Sequence, residues 1–146
     1  MRTLGQKRAE YALKEVLKAK DIDKFDSFVA GAPAQILQNG FGQTLAFWLS
    51  KGAKKNKNSG DKEFNTKDKH IVLFDIIFNW LKYKENDINN EFIPQNIQRK
   101  DELIAYLNKI SQEKYLTIQK EVLSLLEWVK RYAQAFCNNK DVNNVE

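Results

Sequence analysis

Apolar side chains recur at steps of three and four along most of this chain, and polar stretches divide them into blocks. Between Thr3 and Lys18, the residues Ala9, Ala12, Leu13, Val16 and Leu17 share one helical face, with Thr3 placed to cap the start. Asp21–Ala30 reads as a short helix with Phe25, Phe28 and Val29 turned inward. From Pro33 to Lys51, Leu37, Phe41, Leu45 and Trp48 fall on one face with Gly52 in register, while Gln35, Asn39, Gln43 and Ser50 fall on another. This predicts one helix with Pro33 in its first turn and Gly40 and Gly42 in its interior. Each interior glycine costs about 1 kcal/mol relative to alanine, so a close approach by another backbone is expected there. Asn39-Gly40 alone is a hairpin-turn signal, but its flanks do not alternate as strands do.

Lys51–Asn65 is polar and reads as a mobile loop. In His70–Leu81 nine of the twelve residues are apolar, which at that length and without a convincing partner strand predicts a buried helix. A second loop over 84–96 contains Pro94, and Lys100–Ile110 forms a further helix. The final block, Ser111–Phe136, carries Tyr115, Ile118, Val122, Leu125, Val129, Tyr132 and Phe136 at unbroken helical steps, widened by Leu126 and Ala133. The fold class is therefore all-α: a single compact bundle of about five to seven helices, spanning residues 1–137, followed by a polar tail over 138–146.

Composition narrows the function classes. Pro 2 and Gly 6 in 146 residues disfavour a turn-rich β fold. A 42% hydrophobic content is enough for one core, and no apolar run reaches the ~18 residues that span a bilayer. Cys137 is the single cysteine, so no internal disulfide and no cysteine-pair metal site can form, and a reduced, cytoplasmic setting is expected.

The chemistry-bearing residues form no convincing constellation. Asp21, Asp23 and Asp26 have a calcium-loop flavour, but Asp26 stands where such a loop needs glycine and Ala32 where it needs the bidentate glutamate. His70 and Cys137 are far apart and read as a helix-start residue and a packed small residue. Asp75, inside Leu73-Phe74-Asp75-Ile76-Ile77, is the one acid in an apolar run, and an ion pair or hydrogen bond to a neighbouring helix explains it better than catalysis. No glycine-rich loop ends in Gly-Lys-Ser or Gly-Lys-Thr. No active site, cofactor or metal is expected.

Charge placement says more than the total of +5. Residues 1–58 carry 11 basic and 5 acidic side chains, whereas the remainder carries 13 and 14. Between Ser27 and Gly60 there is no acid, and Lys51, Lys54, Lys55 and Lys57 lie within seven positions. Such an excess attracts phosphate regardless of base sequence. A solubilising loop has the same composition, and spacing alone leaves both readings open.

Three stretches carry a family likeness: Gln6-Lys7-Arg8-Ala9-Glu10-Tyr11-Ala12, then Leu37-Gln38-Asn39-Gly40-Phe41-Gly42-Gln43-Thr44-Leu45-Ala46-Phe47 followed by Ser50-Lys51, and Leu125-Leu126-Glu127-Trp128-Val129-Lys130-Arg131-Tyr132-Ala133. They resemble the small α-helical subunit of the type III-B CRISPR effector, the Cmr or RAMP-module complex. The likeness extends over essentially the whole chain and departs from the family in the Lys/Asn loop after Lys51 and in the tail. It implies a non-catalytic helical bundle that stacks in copies as a minor filament, beside the backbone RAMP subunit and against the large polymerase-like subunit. It also implies that basic surface lines the path of the target RNA paired to the crRNA. Within it, Asn39, Gly40 and Gln43 match the central motif and Lys51 its terminal lysine, while Arg8, Lys130 and Arg131 match basic positions of the first and last helices. With Lys54 and Lys55 these basic residues are the expected RNA contacts. Two other classes remain: a helical adaptor that binds one partner protein without touching nucleic acid, and a small hydrolase built on Asp75 or His70.

Overall fold

The computed structural model describes residues 1–138. It contains six helices: α1 Leu4–Lys18, α2 Phe25–Asn39, α3 Phe41–Gly52, α4 Lys69–Leu81, α5 Lys100–Lys109 and α6 Gln112–Phe136. Two small antiparallel hairpins interrupt them, β1 (Ala53–Lys55) with β2 (Lys62–Phe64), and β3 (Lys84–Glu85) with β4 (Ile88–Asn89). The expected all-α bundle is present, with these hairpins as additions.

Local chemistry sets the helix starts. The Thr3 hydroxyl accepts from the Gln6 N–H at 3.1 Å, and the Gln6 side chain accepts from the Thr3 N–H at 2.8 Å, a reciprocal cap on α1. Asp68 caps α4 and Ser111 caps α6 in the one-sided form. The long helix α6 runs through the bundle with α1 parallel to it and α2 antiparallel; α4 is covered by α2, α3 and α6, and α5 closes over α3. Ile118, Val122, Leu125, Leu126, Val129 and Ala133 form the buried stripe of α6, as its periodicity requires. Helix α4 is enclosed on nearly every side, which is why its sequence shows an apolar run rather than a stripe.

The structure corrects several sequence readings. The Pro33–Lys51 block is two helices, because Gly40 adopts φ 87° and ψ 152°, a conformation essentially restricted to glycine. Gly40 ends α2 by donating to the Ile36 carbonyl at 2.8 Å, and its own carbonyl accepts from the Thr44 N–H at 3.0 Å to start α3. Helix α2 begins earlier than expected, absorbing the short Asp21–Ala30 helix, and so Pro33 lies in its interior. The break rotates α2 relative to α3, which leaves Leu37 67% exposed instead of sharing the Phe41–Trp48 face. Leu17 is also exposed, on the outer edge of α1. The polar Lys51–Asn65 segment, read as a loop, carries the end of α3 and a two-stranded arm built on β1 and β2. Asn138 is held by the carbonyl of Lys20, and the rest of the expected tail, 139–146, lies outside the described residues.

Candidate nucleic-acid interface

The lysine-rich end of the acid-free window becomes the last turn of α3 and the first strand of the arm that follows it. Lys51 occupies the last turn of α3, with its ammonium 5.5 Å from the centre of the half-exposed Phe47 ring. The arm then leaves the body. Ala53 pairs with Phe64, Lys54 with Glu63 and Lys55 with Lys62. Directly opposed residues of an antiparallel pair share a face, and successive residues alternate. Lys54 therefore shares its face with Glu63, whereas Lys55 and Lys62 stand side by side on the face that also carries Phe64.

The tip is organised by Asn56 rather than by lysine. Its side-chain oxygen accepts from the N–H groups of Asn58 and Ser59 at 2.8 and 3.1 Å, and its amide donates to Glu63 at 2.7 Å. Gly60, at φ 80°, returns the chain, and the Asn56 N–H closes on the Asp61 carbonyl at 2.6 Å. The root is fixed by Gly52, packed so tightly on Ile71 that no side chain fits, and by Asn65 donating to the Gly52 carbonyl at 2.9 Å. Behind the arm, Phe64 joins Leu49, Ile104 and Ala105 around an open groove of about 600 Å³, and Lys100 sits 5.4 Å from the Phe64 ring centre while pairing with Asp75 at 3.2 Å.

The other expected contacts lie on other elements. Lys130 and Arg131 occupy the outer side of α6, Lys130 within 3.8 Å of Glu127 and Arg131 exposed. Helices α3 and α6 meet where Tyr115 accepts from the Gly42 N–H at 2.7 Å. Both run back along α2, so from that contact they head in the same general sense. This carries Lys51 roughly 14 Å and Lys130 roughly 22 Å along their axes at 1.5 Å per residue. Lys51 and Lys130 are thus displaced in the same general sense from that contact. What faces Gly42 is this tyrosine side chain, its hydroxyl 3.4 Å from where a Cβ would be, and not the close backbone expected from the sequence. Asn39 and Gln43 are exposed on either side of the Gly40 break.

Arg8 is placed quite differently. Its guanidinium makes two 2.8 Å hydrogen bonds to Glu121, whose carboxylate is almost fully buried and also accepts from the Trp80 indole N–H at 2.8 Å. Hydrogen bonding to that carboxylate raises the Arg8 pKa above its ordinary value, and its charge is taken up inside the bundle. The sequence reading missed Glu121, although the signal was there: an acid in the middle of the α6 apolar stripe, between Ile118 and Leu125. It also missed Lys62, which only strand pairing brings beside Lys55.

The hydrolase constellation is not assembled. His70 Nδ1 lies 2.9 Å from Asp68 and its ring packs on Phe28, whereas Asp75 pairs with Lys100 on α5. The cavity that Asp75 lines with Glu15, Lys18, Thr66 and Asn79 does not include His70. Cys137 caps α6, where burial and the nearby Asp26 and Asp21 push its thiol up to about 11. Among the described residues no group of three His, Cys, Asp or Glu side chains could hold a metal ion, and no helix is long and apolar enough to cross a membrane.

The family profile described as CRISPR-associated protein (Cas_Cmr5) matches residues 4–136. The chain belongs to the Cmr5 family. The likeness noted from the three sequence stretches is thereby established over nearly the whole chain, and with it membership of the small subunits of Cmr complexes. A crystal structure of a CRISPR-associated Cmr5 family protein from Thermus thermophilus superposes on this Cmr5-family chain with a TM-score of 0.59 at 22% identity. That match covers 94% of this chain and 100% of the other, so the two share the bundle as a whole.

Proposed function

We propose that this Cmr5-family chain is a non-catalytic structural subunit of a type III-B CRISPR RNA-guided effector complex, acting in the cytoplasm in antiviral defence. Copies stack as a minor filament beside the backbone RAMP subunit and against the large polymerase-like subunit. Basic side chains contact the phosphates of the target RNA–crRNA duplex. The observation that carries the RNA reading is the exposed run of Lys51, Lys54 and Lys55, the first in the last turn of α3 and the other two on the arm that its own strand pairing builds. Lys130 and Arg131 add basic groups on the outer side of α6. Arg8 is committed to Glu121 and has no part in the contact.

Stacking has its own support. Gln43, Ala46, Phe47 and Ser50 form an exposed stripe along α3, with exposed Leu37 beyond the Gly40 break. A rigid helix corner with an uncovered aromatic ring suits repeated head-to-tail contacts.

The test is the salt dependence of target-RNA binding by the assembled complex, comparing wild type with Lys51→Ala, Lys54→Ala and Lys55→Ala combined. Each lost phosphate contact lowers the slope of log affinity against log salt by about 1. A slope that stays where it was removes the RNA contact and leaves the protein adaptor.

A further inference from the structure

We infer that Lys55 and Lys62 form a two-lysine clamp for a single phosphate group, so that closure of the arm is coupled to anion binding. The inference rests on the RNA-contact reading above and adds to it a partner residue, Lys62, together with a structural consequence. Its starting point is a local contradiction. The two lysines are directly opposed across β1 and β2, and like charges at that position destabilise a strand pair. The pair is also only three residues long, with a solvent-exposed outer end, so it has little ladder to offset the repulsion.

Among the described residues neither ammonium has an ion-pair partner, the exposed Asp61 adjoining Lys62 standing at the turn end of the strand pair. The one carboxylate within the paired strands, Glu63, lies on the opposite face with Lys54 and is held by Asn56. Along the clamp's own face the next pair is Ala53 with Phe64, and the cation beyond it, Lys100, is matched to Asp75. The positive charge of Lys55 and Lys62 is therefore concentrated at one place, on side chains long enough to converge. An oxyanion between two ammonium groups turns their repulsion into two charge-assisted hydrogen bonds. A phosphodiester of RNA and free inorganic phosphate offer the same chemistry.

The arm's own closing bond supplies the readout. The Asn56 N–H donates to the Asp61 carbonyl next to the Lys55–Lys62 pair, so hydrogen exchange at this amide reports opening of the arm. The experiment uses the full chain and its Lys55→Ala, Lys62→Ala and double variants, alone, with a single-stranded RNA dodecamer, and with inorganic phosphate. Without an anion, Lys62→Ala slows exchange at Asn56, because a repulsion has been removed. With RNA the order reverses: exchange slows in the wild type and hardly changes in either single variant. RNA affinity falls by about threefold to tenfold for each single variant, and the double variant is no weaker than the singles, since both lysines hold one group.

Faster exchange in anion-free Lys62→Ala overturns the clamp, as does an unchanged RNA affinity or independent, multiplying losses. Protection by phosphate at concentrations no higher than those of RNA overturns RNA as the source of the anion. The phosphate arm reads the clamp even where the complex shows no salt-slope change, so the two readings fail separately. Both lysines are exposed, so far-UV circular dichroism melts of all four proteins should coincide.

Discussion

Replacing Arg8 with alanine separates a core role from a surface role for the most basic-looking position of α1. In the native protein Glu121 is 5% exposed and satisfied by three hydrogen bonds, two from Arg8 and one from Trp80. Arg8→Ala removes two of the three and leaves a buried carboxylate with no cation. Breaking a buried pair in this way costs about 3–5 kcal/mol. Because the Arg8 side chain keeps 19% of its exposure and water can follow it in, the lower end, about 3 kcal/mol, is expected. For a chain of this size that lowers Tm by roughly 6–12 °C. The assay is urea unfolding followed by far-UV circular dichroism. The combined variant Arg8→Met with Glu121→Gln tests the cause, because it removes both charges while a glutamine oxygen still accepts from Trp80. It should recover much of the loss, and the cycle should give a clear coupling energy. A loss below about 1 kcal/mol, the range of exposed ion pairs, would refute the reasoning. So would a target-RNA salt slope lowered by about 1 in the folded variant, which would mark Arg8 as a phosphate contact.

Three further outcomes follow from the geometry. Gly40→Ala forces a side chain into φ 87° and should cost about 1–3 kcal/mol in urea unfolding, whereas Gly42→Ala, 3.4 Å from the Tyr115 hydroxyl, should cost much less. Gly52→Ala would place its methyl inside the Ile71 side chain and should destabilise the fold by about 1–3 kcal/mol through overpacking, with loss of arm protection in hydrogen exchange. The Cys137 thiol, raised from 9.0 to about 11 mainly by burial, should react with a thiol-specific disulfide reagent at pH 8 about 100-fold more slowly than in urea. Its rate should keep rising with pH up to about 11 and fall back to ordinary cysteine behaviour when the protein unfolds.

Periodicity was enough to locate α1, α5 and α6, because burial of a stripe is written directly into residue spacing. Helix α6 shows this best: residues at steps of three and four must lie on one side of any helix, so Ile118 to Ala133 were legible as core before any neighbour was known. The enclosed helix α4 was legible from its apolar density. The lysine excess after α3 and the family likeness could also be read along the chain, since both are properties of order and composition.

Tertiary structure alone decided what those residues do to one another. Gly40 fits an interior helix by spacing, and only its left-handed backbone shows that the chain breaks there and turns Leu37 outward. Arg8 and Glu121 are separated by 113 positions, so nothing local distinguishes a basic residue held in the core from one facing solvent. Lys62 lies outside the lysine run, yet strand pairing sets it against Lys55. Which faces are apolar follows from sequence, because that depends on short-range geometry; which charges meet depends on how distant segments pack.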